Sequence, residues 1–362
     1  MYALCQGLPA PRRVCETSGL GTKRTGARSV SLRDLGDHLG LSPTTVSLVL
    51  NGSPSAASIP KETQDRVFAA AKKLNYRPNF LARSLRSQRT YLIGVMVPEL
   101  GEGYASLVLS GIEQCLLAEG YVYLVTSHRH KPELLERGPR LFYERCVEGL
   151  IAVDTPIRDR VPIPVVSVSG HERVPGVTNI VLDHERAAHL GLSRLAELGH
   201  RRIAFFQGQT FSSDTDVRWN AIVAAGARLG LTIDPRLVVR LEGDSPSPQT
   251  GYCAARKLIG SRAGFTALWA FNDISAIGAV RALIEAGRAV PQDVSVMGFD
   301  DVYAAAFHNP ALTTVRQPLA RMGSLAAATL LRRIADPDAA FPAEESVEPE
   351  LIERESTGPA PQ

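Results

Sequence analysis

Ser31-Leu-Arg-Asp-Leu-Gly-Asp-His-Leu-Gly-Leu-Ser-Pro-Thr-Thr-Val-Ser-Leu-Val-Leu-Asn51-Gly52 decides how the chain begins to fold. Leu32, Leu35 and Leu39 recur at helical spacing, which predicts an amphipathic helix over Ser31–Leu39. Gly40 breaks it. Ser42 is a good N-cap and Pro43 suits a first helical position, so a second helix follows at once. It turns Val46, Val49 and Leu50 inward and stops at the Asn51-Gly52 turn. Two short helices joined by a Gly-containing turn form a helix-turn-helix, although an ordinary helical hairpin reads the same way. In a DNA-binding unit of this kind the start of the second helix meets base edges in the major groove. Here those positions are Pro43, Thr44, Thr45, Ser47 and Leu48, with Asn51 at the helix end.

Charge separates the two readings. Residues 1–90 hold 14 Lys/Arg against 5 Asp/Glu, whereas the whole 362-residue chain carries only +3. A basic head on a mildly acidic body implies a polyanionic partner, nucleic acid first. A third helix from near Pro60 buries Val67, Ala70, Ala71 and Leu74. Lys72, Lys73, Arg77, Arg83, Arg86 and Arg89 are its candidate phosphate partners. Residues 1–30 lack any hydrophobic period and read as a disordered N-terminal tail.

From Tyr91 the pattern changes. Apolar runs at Leu92–Val97, Val122–Val125, Leu150–Val153, Pro164–Val168, Ile203–Phe206, Thr266–Phe271 and Val294–Gly298 alternate with helical stretches. Strands buried on both faces and joined by crossover helices make parallel sheets, here in two lobes. No run of ~20 apolar residues suits a membrane span, and the N-terminus lacks a secretory pattern. Five cysteines without a CxxC pair suit a reduced cytoplasmic protein. Phosphate-loop, HExxH and GxSxG motifs are absent, so no enzyme is expected. No cofactor or metal is expected either: His128 and His130 lie two apart without further ligands.

Collinear motifs then become specific. They are Ser31-Leu-Arg-Asp-Leu, Leu41–Gly52, Asn75-Tyr-Arg-Pro-Asn-Phe-Leu-Ala-Arg-Ser-Leu85, Tyr91-Leu-Ile-Gly-Val and Val147-Glu-Gly-Leu-Ile151. Leu198-Gly-His-Arg-Arg-Ile-Ala204, Asn272-Asp-Ile-Ser-Ala-Ile-Gly278, Val290–Asp301, Leu312-Thr-Thr-Val-Arg-Gln-Pro318 and Leu351-Ile-Glu-Arg-Glu-Ser356 continue them. Over residues 31–357 the chain resembles the lactose-repressor (LacI/GalR) family of transcriptional regulators.

That resemblance implies an all-α helix-turn-helix DNA-binding head and an α/β two-lobed, periplasmic-binding-protein-like body with parallel sheets. The expected divisions are a tail at 1–30, the head at 31–76, a hinge helix and linker at 77–90, the body at 91–357 and a loose tail at 358–362. Lobe 1 is expected over about 91–183 and 316–337, and lobe 2 over about 184–315 and 338–355. The resemblance further implies a cytoplasmic, nucleoid-associated homodimer on a pseudo-palindromic double-stranded operator. Its hinge segments would enter the minor groove, with Leu85 as an apolar wedge, Ala82 beside it, and Arg83 and Arg86 facing the backbone.

Matching positions in the body nominate Arg218, Asn272, Asp273 and Asp300 as polar contacts of a small effector, a sugar or sugar derivative. Asp273 reads equally as a helix N-cap, Asp300 as a loop cap and Arg218 as a salt-bridge partner. Tyr104 is the aromatic kept in the first lobe, and Trp219 and Phe271 are stacking faces or simply core. Two departures stand out. Leu48 occupies a position that often carries Arg, which removes a bidentate guanine contact. Ser127-His-Arg-His-Lys131 replaces a common Asn or Asp and reads as a solvated loop or as a basic cluster favouring an anionic ligand.

Overall fold

The structure, a computed structural model, describes residues 30–77, 84, 88–101, 103–157, 161–243 and 247–362. It divides into two compact units, Met1–Gln88 and Arg89–Gln362. The hinge residues Ala82, Arg83, Leu85 and Arg86 lie outside the described residues, as do residues 1–29.

The head is built from α1 (Leu32–Leu39), α2 (Pro43–Leu50) and α3 (Lys61–Lys73). Ser31 closes a capping box with Asp34, each side chain bonding the other residue's backbone N–H. Gly40 ends α1 at φ 66°, a conformation that costs glycine little. Leu35, Val46, Val49, Val67 and Ala70 form the head's core. Between α2 and α3 a 3-10 turn, Pro54–Ser58, buries Ala56. Gln64 Nε2 holds this turn by donating to the carbonyls of Ala56 (3.0 Å) and Ile59 (2.9 Å).

The body contains two six-stranded sheets. The first comprises β1 (Leu92–Val97), β2 (Val122–Ser127), β3 (Gly149–Val153), β4 (Val165–Val168), β5 (Val177–Leu182) and β11 (Glu344–Val347), in spatial order β11-β5-β4-β3-β1-β2. The second comprises β6 (Ile203–Gln207), β7 (Val238–Arg240), β8 (Ala267–Trp269), β9 (Ser295–Asp300), β10 (Thr313–Arg316) and β12 (Glu350–Ile352), in order β12-β10-β9-β8-β6-β7. Among the described residues every pairing is parallel except β10 with β12. The expected all-α head and parallel α/β body are therefore both present.

Each sheet carries a helix pair that glycines draw closely together. In the first, α4 (Tyr104–Ala118) meets the long C-terminal helix Leu319–Ala335. A Cβ on Gly111 would lie 1.8 Å from the Ala320 carbonyl oxygen, and one on Gly323 would lie 2.0 Å from that of Val108. In the second, Pro248–Gly260 meets Asp273–Glu285, where a Cβ on Gly278 would lie 1.8 Å from the Pro248 oxygen.

Two expectations are corrected here. Residues 338–355 do not all join the second lobe, because β11 pairs in parallel with β5 of the first sheet. The strand itself reads Glu-Glu-Ser-Val, with no apolar run, so only its edge pairing reveals it as a strand. The end of the chain is not a loose tail either. Ser356 is fully buried, Gly358 N–H donates to Ser295 Oγ and its carbonyl lies 3.1 Å from His200 Nε2, and Ala360 N–H reaches the Leu198 carbonyl. Segments far upstream in the chain, around Leu198, Ser295 and Thr313, hold it.

Candidate functional site

A cavity of about 50 Å³ lies within the body, lined by residues that follow strands of both sheets. Ligands of open parallel sheets bind at such carboxyl ends. Tyr104, Arg218, Phe271, Asn272 and Asp300 all border it, together with Glu99, His130, Asp154, Gln209, Phe211 and Asp214.

Arg218 is the centre of this group. It belongs to the helix Asp214–Arg228 and is 5% exposed. Its guanidinium carbon sits 3.7 Å from the Phe299 ring centre and 4.3 Å from that of Phe271. Nη1 donates to the Phe271 carbonyl (2.5 Å) and Nη2 to Asp214 Oδ2 (2.9 Å). Planar guanidinium between two aromatic faces is a rigid fork, held before any ligand arrives. Asp300 accepts from Gln317 Nε2 (2.6 Å), and burial pushes its carboxyl up to about 7 although Arg218 pulls it down. Asn272 caps the helix Asp273–Glu285 by accepting from Ser275 N–H (2.9 Å). Tyr104 donates its hydroxyl to Ser169 Oγ (2.8 Å).

The cavity walls are tied across the two sheets. Ser213 donates N–H (2.9 Å) and Oγ–H (2.6 Å) to Asp154 Oδ1, and also reaches the Ser169 carbonyl. His130 stacks on Phe211 with ring centres 3.6 Å apart. His171 lies 2.6 Å from Asp214. Burial alone would raise the Asp214 carboxyl, yet His184, His171 and Arg218 hold it well below the usual carboxylate range. Burial opposes charge on His171, but the bond to Asp214 wins and raises it.

In the head, Pro43 and Thr44 at the start of α2 are exposed, as is Asn51 after its end, while Thr45 and Leu48 are half-buried. Ser42 Oγ accepts from Thr45 N–H (3.1 Å) and caps the helix. Lys72, Lys73 and Arg77 are exposed at the end of α3 and just beyond it. A capped second helix whose start is exposed is what a groove-reading head presents to DNA.

The comparisons with known proteins agree with this geometry. Residues 31–79 match the model of bacterial regulatory proteins of the lacI family, and residues 192–357 match the periplasmic binding protein-like domain. The HTH-type transcriptional repressor PurR of Haemophilus influenzae is 31% identical over 339 residues, spanning 90% of this chain and 98% of that one. This chain belongs to the lacI family. The PurR repressor of Erwinia tasmaniensis is 32% identical over 344 residues, covering 91% of this chain and 98% of its own. The lac repressor dimer bound to operator and the anti-inducer ONPF superposes with a TM-score of 0.81. It is 26% identical and covers 91% of this chain and 100% of its own. A CelR–cellobiose complex gives 0.66 at 27% identity, covering 90% and 99%. As a lacI-family member the protein is a DNA-binding, ligand-responsive transcriptional repressor, and the relatives it matches are repressors rather than enzymes.

Within this lacI-family frame several expected site residues are corrected. Asp273 is fully buried away from the cavity; it accepts from Val302 N–H (2.9 Å) and Thr314 Oγ1 (2.6 Å), while Asn272 does the capping. Trp219 does not line the cavity but packs edge-on against Phe205, ring centres 5.8 Å apart. One step along a helix turns a side chain by about 100°, which points Trp219 away from Arg218 and toward Phe205. Ser47 is 5% exposed rather than outward, on the side of α2 that also carries Leu50, and Asn51 Nδ2 donates to its oxygen atoms. Arg89 is held by Glu148 (2.9 Å) in the body and is not an open phosphate partner. The Ser127–Lys131 run does not make a basic cavity wall. His128 is buried and held to about 4, by desolvation first and the neighbouring His130 second, and Arg129 and Lys131 are exposed.

Sequence reading missed Asp214, His171, His184, Gln209 and Phe211. A faint signal existed for Asp214, which stands four residues before Arg218 on one helical face.

Proposed function

We propose that the protein represses transcription in the cytoplasm as a homodimer on a pseudo-palindromic operator, and that a sugar or sugar derivative bound between the lobes controls it. Pro43, Thr44, Thr45 and Leu48 read the major groove, with Asn51 at the helix end, while Ala82, Arg83, Leu85 and Arg86 act at the minor groove. The observation that carries the effector reading is Arg218, clamped between Phe271 and Phe299 at the cavity edge beside Asp300. Sugars need fixed donors and acceptors for adjacent hydroxyls and an apolar face for their C–H side. Arg218, Asp300 and Asn272 supply the first, and Phe271 and Tyr104 the second. The CelR–cellobiose complex, a relative of the same fold, supports this class of ligand.

In this reading the effector changes how the lobes pair and thereby how the two heads are spaced on DNA. A coupling of about 1–3 kcal/mol suffices for a 5- to 150-fold change in operator affinity. Arg218→Ala and Asp300→Ala should abolish the effector response while leaving operator affinity within about twofold, because the ligand loses a desolvated partner. Operator titrations with a panel of mono- and disaccharides, sugar phosphates and nucleobases check this. A response to nucleobases alone overturns the sugar class, and variants that respond like the parent overturn the site.

A further inference from the structure

We propose that His171, His184 and Asp214 form a binding site for a divalent transition metal of the zinc type, stapling the two lobes of the body. The three come from separate elements. His171 lies in the loop after β4, His184 is the first residue of the helix His184–Glu197, and Asp214 is the first residue of Asp214–Arg228. Asp214 Oδ1 lies 2.6 Å from His171 Nε2 and 3.3 Å from His184 Nε2, and all three donor atoms fall within 4.8 Å of one another. With bonds near 2.0–2.2 Å, tetrahedral zinc holds its ligand atoms about 3.3–3.5 Å apart. The His184 separation already fits, and His171 retreats by roughly 0.7 Å to make room.

An independent observation points to a ligand. His184 is 5% exposed; among the described residues its Nδ1 has no hydrogen-bond partner, and its Nε2 meets Asp214 Oδ1 at 3.3 Å without hydrogen-bonding geometry. Buried polar groups are rarely left in that condition. Two imidazoles and one carboxylate suit zinc, cobalt, nickel or copper, whereas calcium and magnesium prefer oxygen alone. The second Asp214 oxygen accepts from Arg218 Nη2 at 2.9 Å, an outer bond of the kind that orients a ligating carboxylate. A fourth position remains for water on the side where Asp214 borders the cavity. Binding displaces the proton shared by His171 Nε2 and Asp214 Oδ1 to solvent, and nothing is oxidised or reduced.

Zinc binding tests this without reference to any effector. Chelator-stripped full-length protein is titrated with zinc against a chromophoric chelator, and its melting temperature is recorded with and without the metal. The parent should take one equivalent and melt higher with zinc. His184→Ala and His171→Ala should each weaken binding at least 10-fold and lose the thermal shift. His171 is 17% exposed, so its variant decides the matter if His184→Ala folds poorly. Equal binding by parent and variants would place zinc elsewhere and overturn the proposal. So would failure of the parent to take zinc from the chelator.

Discussion

Asp300 stands at φ 107°, a backbone conformation that Asn and Asp tolerate better than most residues, with its carboxyl buried beside Arg218. Its folded pKa of about 7 lies above the ordinary carboxylate value of about 3.9. Between these limits the unfolded chain gives up a proton that the folded protein still holds. Stability from this group is therefore complete below about pH 4 and is lost as pH rises to about 7. Asp300→Asn keeps the acceptor for Gln317 and cannot ionise. It should raise stability at pH 8 by at most about 4 kcal/mol and leave it nearly unchanged at pH 4. Calorimetry at the two pH values checks this, and a loss of stability at pH 8 would mean that the ionised carboxylate is the form the fold wants.

Helices approach backbone to backbone only where glycine lets them, and the body uses that device once on each sheet. At Gly111 the obstacle is the main-chain oxygen of Ala320, which cannot rotate away as a side chain tip could. Gly111→Ala must separate the helices Tyr104–Ala118 and Leu319–Ala335, at a cost of about 1–3 kcal/mol that outweighs alanine's helix preference. The expected result is a melting temperature lower by several degrees. Gly260 ends a helix with nothing within 4 Å of its would-be Cβ, so Gly260→Ala should be neutral or slightly stabilising. Equal effects at the two positions in a thermal melt would show that close approach is not what Gly111 provides.

The whole molecule joins a basic N-terminal part, with 14 Lys/Arg against 5 Asp/Glu in residues 1–90, to an acidic body. Lys72, Lys73 and Arg77 are exposed in the head, whereas body arginines such as Arg89, Arg316 and Arg354 are engaged by Glu148 and Asp301. Operator affinity should therefore fall steeply with salt, log K dropping by about 0.9 per neutralised phosphate for each unit of log salt. Filter-binding or anisotropy titrations between 50 and 200 mM salt measure the slope. A flat dependence would remove the electrostatic role assigned to the head.

Local physics made much of this legible in the chain. Ser31, Gly40 and Ser42 act on their own neighbours through caps and turns, so the two-helix head follows from spacing alone. The strands around Leu92–Val97 and Leu150–Val153 are buried on both faces and stand out as continuous apolar runs. Family motifs then placed Arg218, Asn272 and Asp300 at one cavity. Packing between distant segments decided the rest. Asp273 and Trp219 each follow a cavity residue directly, and a single step along the chain sends their side chains elsewhere. Polar Glu344–Val347 became a strand because β5 offered an edge, and Ser356 was buried because Val296, Ala311 and Thr313 received it. His171, His184 and Asp214 span more than forty residues and share no period, so only the closure of two sheets brings their donor atoms together.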